Sequence, residues 1–365
     1  MKRTLLVFAF ALSGLVSLPV GAATTKDWRP TERWVGFNLL GMFRAPTIGL
    51  APDPRVDGHF VEWEFQALHD WGFNFARLPI DYRILTTGDS WTNLDEKAMV
   101  KVDQAIAWGQ KYGIHVQVAF HRIPGYCILD QTEAFPLGTS EIAQDAACSL
   151  WRSMARRWKG IPNEVLSFNL FNEPTRHVKG ANYLAVARKL IAAIRAEDPT
   201  RFIMADGDEC AAKPVRELYG DPSVGQAFRG YTPHALTHYM CGFVKTPPEP
   251  PSWPLKDGYG DNWGRRTPEA TVALYEDALK AGVFCMVGEF GCRNQTPHPV
   301  TLAWMEHCLK LWNEKNLGWA LWNLRGHNGI LDSGRADVDY EDFHGHKLDR
   351  KMLMLLQKYA AKRDK

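Results

Sequence analysis

VLSFNLFNEP, residues 165–174, is an apolar run that stops at a carboxyl group, and VFCMVGEFG, residues 283–291, follows the same plan. Each short run reads as a buried strand that gives way at once to a loop. Glu173 and Glu289 therefore stand at the C-terminal ends of two separate strands, which can bring them to one pocket. Two carboxyl groups so placed are the minimum equipment for breaking a glycosidic bond by double displacement. One carboxylic acid protonates the leaving oxygen while one carboxylate attacks the anomeric carbon. A single strand-end glutamate is ordinarily a solvated loop residue. Two at matching positions, one of them preceded by Asn172, are hard to explain that way.

The same kind of run recurs along the chain. Residues 34–40, 74–80, 116–121 and 165–171 are the first four strand candidates, and 202–206, 227–233, 283–290 and 317–324 complete eight. Between them lie helical patterns over 94–112, 140–158, 183–196, 268–281 and 299–314, and a basic helix over 348–362 closes the chain. Strands alternating with helices imply right-handed crossovers and a parallel sheet. Eight such units fit a closed (β/α)8 TIM barrel better than an open doubly wound sheet. There is no internal repeat, no low-complexity tract and no linker, so one catalytic domain is expected over residues 24–365. Long loops over 126–138 and 240–266 follow the third and sixth strands, on the face where such loops shape a site. The second loop is rich in proline and carries Trp253 and Trp263, either of which could stack on a sugar or anchor the loop inward.

The chain begins with a secretory pattern over residues 1–23: Lys2-Arg3, an apolar stretch from Leu5 to Val16, and Gly21-Ala22-Ala23 before a cut. The apolar stretch is too short for a membrane span. An exported enzyme, secreted or periplasmic, is the expectation. Seven cysteines in such a chain suggest some disulfides, with Cys127–Cys148 and Cys210–Cys241 as candidate pairs and Cys285 as a buried thiol. A net charge of +2 makes no case for nucleic acid or an anionic membrane as partner. Fourteen tryptophans and eleven tyrosines offer flat faces for pyranose rings, although most must be core. His344-Gly345-His346 and the acidic stretch 332–342 lack a full ligand spacing, so neither metal nor cofactor is expected. No Gly-x-Ser-x-Gly elbow occurs either. A monomer is expected.

In a barrel the residues at the strand ends border the site. Here they are Asn38, Arg77, His121, Asn172, Glu173, Asp206, Tyr231, Glu289 and Trp322, a strongly polar set. RWVGFNLLGMF (33–43), FARLPIDYR (75–83), VAFHRIPGY (118–126), FNLFNEP (168–174), MVGEFG (286–291) and WALWNLRG (319–326) resemble the successive strand motifs of glycoside hydrolase family 5, the cellulase-A group. The resemblance implies that Glu173 is the acid/base and Glu289 the nucleophile. It further implies that Arg77 is the cation beside Glu289, a role compatible with a structural ion pair inside the barrel. Asn172 matches the contact to the sugar 2-hydroxyl, His121 a substrate-binding histidine, and Trp322 the aromatic floor; Trp319 reads as core. One stretch departs from the pattern. The family carries His-x-Tyr at the end of strand six, whereas this chain has FRGYTPHALTHYM (228–240). Aligning Tyr231 with the family tyrosine leaves Arg229 in place of the histidine, with His234 and His238 as candidates to take over its sugar contact.

The implied function is hydrolysis of a β-linked polysaccharide or oligosaccharide with retention, most simply internal cleavage of β-1,4-glucan. The same chemistry on mannan, xyloglucan or β-1,3-glucan is the alternative within that class. A catalytically silent carbohydrate-binding barrel is the alternative outside it.

Overall fold

A computed structural model describes residues 27–45, 58–88, 90–128, 133–244, 246, 248–256 and 267–361. The secretory pattern over 1–23 and Trp263 lie outside the described residues. Eight strands, β1 (Val35–Asn38), β2 (Phe75–Asp81), β3 (His115–Arg122), β4 (Leu166–Asn169), β5 (Ile203–Asp206), β6 (Val224–Gly230), β7 (Cys285–Phe290) and β8 (Gly318–Leu321), form a closed barrel. Each pairs in parallel with the next, and β8 returns to β1 through Gly36 against Ala320. Every residue of all eight strands is buried. That is why they read as unbroken apolar runs instead of alternating ones: helices cover one face and the barrel interior the other.

The crossover helices obey the usual local rules. Glu96–Tyr112 starts at Asp95, whose carboxylate accepts the Lys97 and Ala98 N–H groups, and stops at Gly113 with φ of 66°. Its buried stripe of Ala98, Met99, Val102, Ala105, Ile106 and Gly109 follows the helical period and faces the sheet. Helices Glu141–Arg157, Gly180–Glu197, His298–Glu314 and Arg350–Ala360 pack in the same way.

Several expectations are corrected. Strand six begins earlier than its apolar pattern suggests, at Val224, and ends at Gly230, before Tyr231. The helical pattern over 268–281 divides into Pro268–Ala273 and Glu276–Lys280. A helix at Glu62–Asp70 and a hairpin of β9 (Glu341–Phe343) with β10 (His346–Leu348) have no counterpart in the sequence reading. The hairpin turns through His344 and Gly345, both at positive φ, within the stretch weighed as a metal motif. All seven cysteines are free thiols, so neither expected disulfide forms. Cys148, Cys285, Cys292 and Cys308 fill gaps in the core between sheet and helices, where sulfur acts as an apolar side chain. Cys285 is buried, as expected. No helix among the described residues is long and apolar enough to cross a membrane.

The barrel interior is graded. Its N-terminal end is sealed by Trp34, Phe75, Phe202, Met204, Ala227, Met286 and Ala320, with Trp34 stacked on Phe75 at 5.3 Å. The C-terminal end is filled with amides, carboxylates and guanidinium groups. Arg77, Asp206, Arg229 and Glu289 thereby meet at one mouth, while His115 stays at the sealed end, stacked on Trp34 at 3.9 Å.

Candidate active site

Arg77 organises that mouth. Its side chain, on β2, points into the barrel and is 1% exposed. Nη1 donates to Glu289 Oε1 at 2.7 Å and to Asn38 Oδ1 at 2.9 Å. Nε donates to Asn169 Oδ1 at 3.1 Å and Nη2 to Asn172 Oδ1 at 3.0 Å. Asn38 is fixed in turn by donating to the carbonyls of Gly288 and Leu321, both at 3.1 Å. A guanidinium held on four acceptors has one orientation, and so does the carboxylate it grips. Arg77 is thus both a barrel ion pair and the cation beside Glu289, the two roles the sequence left open.

Glu289 reaches the interior because β7 breaks step. Met286 faces inward and Val287 and Phe290 face the outer core, so strict alternation would turn residue 289 outward with 287. The register of β7 shifts against β6 next to Phe228 and Arg229, and against β8 between Val287 and Phe290. That irregularity re-aims Glu289 into the mouth, a common use of a bulge beside a site. Gly288 sits at the step, and a Cβ there would lie 2.8 Å from Arg229 Nη1.

Glu173 is presented differently. β4 ends at Asn169, and the chain continues through Asn172 into a left-handed turn with Glu173 at φ of 48°. Strained backbone of this kind needs support on several sides. Here Tyr126 donates its hydroxyl to the Glu173 carbonyl at 2.5 Å, and Asp206 accepts the Glu173 N–H at 2.9 Å. The Glu173 carboxyl accepts from Asn172 Nδ2 at 3.1 Å on Oε2 and from Arg229 Nε at 3.0 Å on Oε1. Burial pushes it up to about 7; the Arg229 charge opposes the shift, and the charges of Glu289 and Asp206 reinforce it.

Arg229 was legible only as a departure from a motif, and it proves central to the geometry. Besides Glu173 it contacts Asp206 Oδ2, Asn172 Oδ1 at 2.8 Å and Glu289 Oε1 at 3.2 Å. Burial works against its charge, yet Asp206, Glu289 and Glu173 together raise its pKa above the ordinary arginine value. Tyr231 stands where its alignment placed it, with its hydroxyl donating to Glu289 Oε2 at 3.2 Å. Burial, and then the Glu289 charge, hold that phenol protonated. Glu289 therefore meets two guanidinium groups on one oxygen and a phenol on the other.

His121 and Trp322 line the mouth together, with ring centroids 5.5 Å apart, and His121 Nδ1 is buried without a hydrogen-bond partner. Burial, followed by the charges of Arg122, Arg77 and Arg229, keeps His121 neutral. Phe43 completes this wall at 4.4 Å from His121 and 5.3 Å from Trp322. Sequence reasoning missed Phe43, although it closes the first strand motif, and it missed Asn169 and Tyr126. Trp319, by contrast, is fully buried as expected.

His234 and His238 lie just past the end of strand six, beside Tyr231. They stack on each other at 5.3 Å along the short helix His234–Thr237, with His238 edge-on to the Tyr231 ring at 5.0 Å. Trp253 packs edge-on to His307 of the helix His298–Glu314 at 5.4 Å and against the core, contacts that anchor its loop. Among the described residues, no group of three or more His, Cys, Asp or Glu is placed to hold a metal ion.

Two carboxyl groups touched by one guanidinium, one protonated near neutral pH and one matched by two cations, can act as a proton donor and a nucleophile on the same acetal. The comparisons with known proteins agree with that chemistry. The sequence model of the family described as Cellulase (glycosyl hydrolase family 5) matches residues 63–328. A solved structure titled as that of a glycoside hydrolase is 32% identical, with a TM-score of 0.79, covering 90% of this chain and 99% of its own. Cellodextrinase A of Ruminococcus flavefaciens is 25% identical over 267 residues, 72% of this chain and 78% of its own. Endoglucanase C of Acetivibrio thermocellus is 22% identical over 299 residues, 74% of this chain and 85% of its own.

Proposed function

Because the chain belongs to glycosyl hydrolase family 5 and is an O-glycosyl hydrolase, we propose that it is an exported, retaining enzyme that cleaves β-1,4-glucan internally. The observation that carries this reading is the unequal pair of carboxyl groups. Glu173 is held protonated up to about pH 7, while Glu289 lies against Arg77 and Arg229. In the first step Glu173 gives its proton to the glycosidic oxygen as Glu289 bonds the anomeric carbon and the carbon–oxygen bond to the leaving sugar breaks. In the second, ionised Glu173 takes a proton from water, whose oxygen bonds the anomeric carbon and releases Glu289. Asn172 keeps one Nδ2 hydrogen free for the sugar 2-hydroxyl, and His121, Trp322 and Phe43 form the wall beside the cleaved ring.

The activities for which the relatives are named, endoglucanase and cellodextrinase, support β-1,4-glucan as substrate. Reducing-sugar release from carboxymethylcellulose, mannan, xyloglucan, xylan and β-1,3-glucan tests it, and preference for any of the last four would reassign the substrate. Export with residues 24–365 as the mature domain is supported by the secretory pattern at 1–23. N-terminal sequencing of enzyme recovered outside the cytoplasm checks it, and a retained Met1 contradicts it.

Two effects follow. Glu173 must carry its proton in the first step, and a carboxyl raised to about 7 is protonated below that pH and ionised above it. kcat/KM on polysaccharide is therefore expected to fall by about tenfold per unit as pH rises beyond 7, and an unchanged rate up to pH 9 would remove Glu173 from this role. Arg77→Met removes the donor that fixes the Glu289 carboxylate, so kcat/KM on the same substrate is expected to fall by about 100-fold or more. Breaking a buried ion pair also costs roughly 3–5 kcal/mol of stability, so the rate is to be read on protein shown folded by circular dichroism. A folded variant that keeps the wild-type rate would reduce Arg77 to a strut.

A further inference from the structure

Arg229 and Asp206 form an ion pair at the centre of the mouth, 7% and 0% exposed. Asp206, at the end of β5, is held from the far side by Asn169 Nδ2 at 3.1 Å and accepts the Glu173 N–H at 2.9 Å. Arg229 spreads its donors over Glu173 Oε1, Asn172 Oδ1 and Asp206, with Glu289 Oε1 at 3.2 Å. We infer that Arg229 and Asp206 are positioning residues that set which glutamate carries the negative charge: Arg229 offers one fixed cation to both carboxyls, and Asp206 keeps that cation from stripping the proton off Glu173. The inference rests on the double-displacement reading above.

Charge counting supports it. In the resting site Arg77 and Arg229 are positive, Glu289 and Asp206 are negative, and a protonated Glu173 leaves the group neutral. As the glycosidic bond breaks, the Glu173 proton passes to the leaving oxygen and Glu289 becomes an ester. Negative charge leaves Glu289 and appears on Glu173, while the total stays the same. Both carboxyls touch the same guanidinium, so no cation has to move as the charge does, which is the economy of a preorganised site. Arginine is a permanent cation with fixed donors, unlike the histidine of the family pattern. Alone against Glu173 it would favour the ionised acid, and the buried Asp206 carboxylate offsets that pull. Of the two Glu173 oxygens, Oε1 takes the charged donor, Arg229 Nε, and Oε2 the neutral one, Asn172 Nδ2, which favours Oε2 as carrier of the transferable proton. A buried pair of this kind is poor value as a structural brace, because removing two charges from water offsets most of their attraction.

The test titrates Glu173 by carbon-13 NMR in protein labelled at glutamate side-chain carboxyls, with Glu173→Gln identifying the signal. Arg229→Gln is expected to raise the Glu173 midpoint by about one pH unit and Asp206→Asn to lower it by about as much. Arg229→Lys keeps a charge and should hold the midpoint near that of the wild type even if Arg229→Gln folds poorly. In parallel, Arg229→Gln should lose about 100-fold in kcat/KM on a cello-oligosaccharide and far less on a dinitrophenyl cellobioside, whose leaving group needs no proton. A brace between β5 and β6 would lower the melting temperature in every variant and leave the Glu173 midpoint where it was. Unmoved midpoints in folded Arg229→Gln and Asp206→Asn overturn the inference and leave the glycosidase reading intact. Wild-type protein that releases no sugar from any substrate overturns the reading and the inference together.

Discussion

Glu289→Ala is expected to lower kcat on β-1,4-glucan by roughly 10⁵- to 10⁶-fold, the scale seen when a nucleophile is removed from a cooperating set. Glu289 stands where Arg77, Arg229 and Tyr231 converge, so its replacement deletes the atom that would bond the anomeric carbon. Added azide should enter the space left by the carboxylate and attack an activated β-cellobiosyl fluoride directly, giving the inverted α-azide. Recovery of the retained β-azide would mean that some other residue forms the intermediate. The change also breaks the buried pair with Arg77, at a cost of roughly 3–5 kcal/mol, so the rate is to be read on protein shown folded by circular dichroism.

Glu173→Ala is expected to divide substrates by leaving group. On cellulose or cello-oligosaccharides, which need the leaving oxygen protonated, kcat/KM should fall by about 10²- to 10⁴-fold. On a dinitrophenyl cellobioside the first step should survive. The slow step becomes attack of water on the intermediate, seen as a burst of dinitrophenol followed by a low steady state. Azide needs no general base, so it should accelerate that steady state and give the retained β-azide. Equal losses on both substrates, without burst or rescue, would reduce Glu173 to a binding residue.

Much of this site is legible in the sequence because barrel strands are buried on both faces. Each polar residue that ends an apolar run, from Asn38 through Arg77 and Asn172 to Glu289, marks the mouth. What local pattern cannot supply is direction. Alternation along β7 turns Glu289 away from the barrel, and only the register step beside Gly288 turns it inward. Arg229 is visible in the sequence, but its meaning depends on Asp206, which a neighbouring strand brings alongside Ala227 and so within reach. His234 and His238 are legible by spacing, but their stacking on each other beside Tyr231 is set by the short helix His234–Thr237. Export chemistry argued for disulfides, whereas four of the seven cysteines were already committed to the core. Trp253 followed the same logic, since a long loop needs an anchor as much as a substrate needs a platform.

The central claim is that Glu289 becomes covalently bonded to the sugar while Glu173 serves as acid and base. It is tested most directly by trapping. Incubation with a dinitrophenyl 2-deoxy-2-fluorocellobioside should release one equivalent of dinitrophenol, because the fluorine slows release of the intermediate more than its formation. Proteolysis and mass spectrometry should then place the fluorocellobiosyl group on Glu289, within the peptide that carries VFCMVGEFG. Label on any other residue, or unlabelled protein whose first-formed product is the α-anomer, would contradict the account.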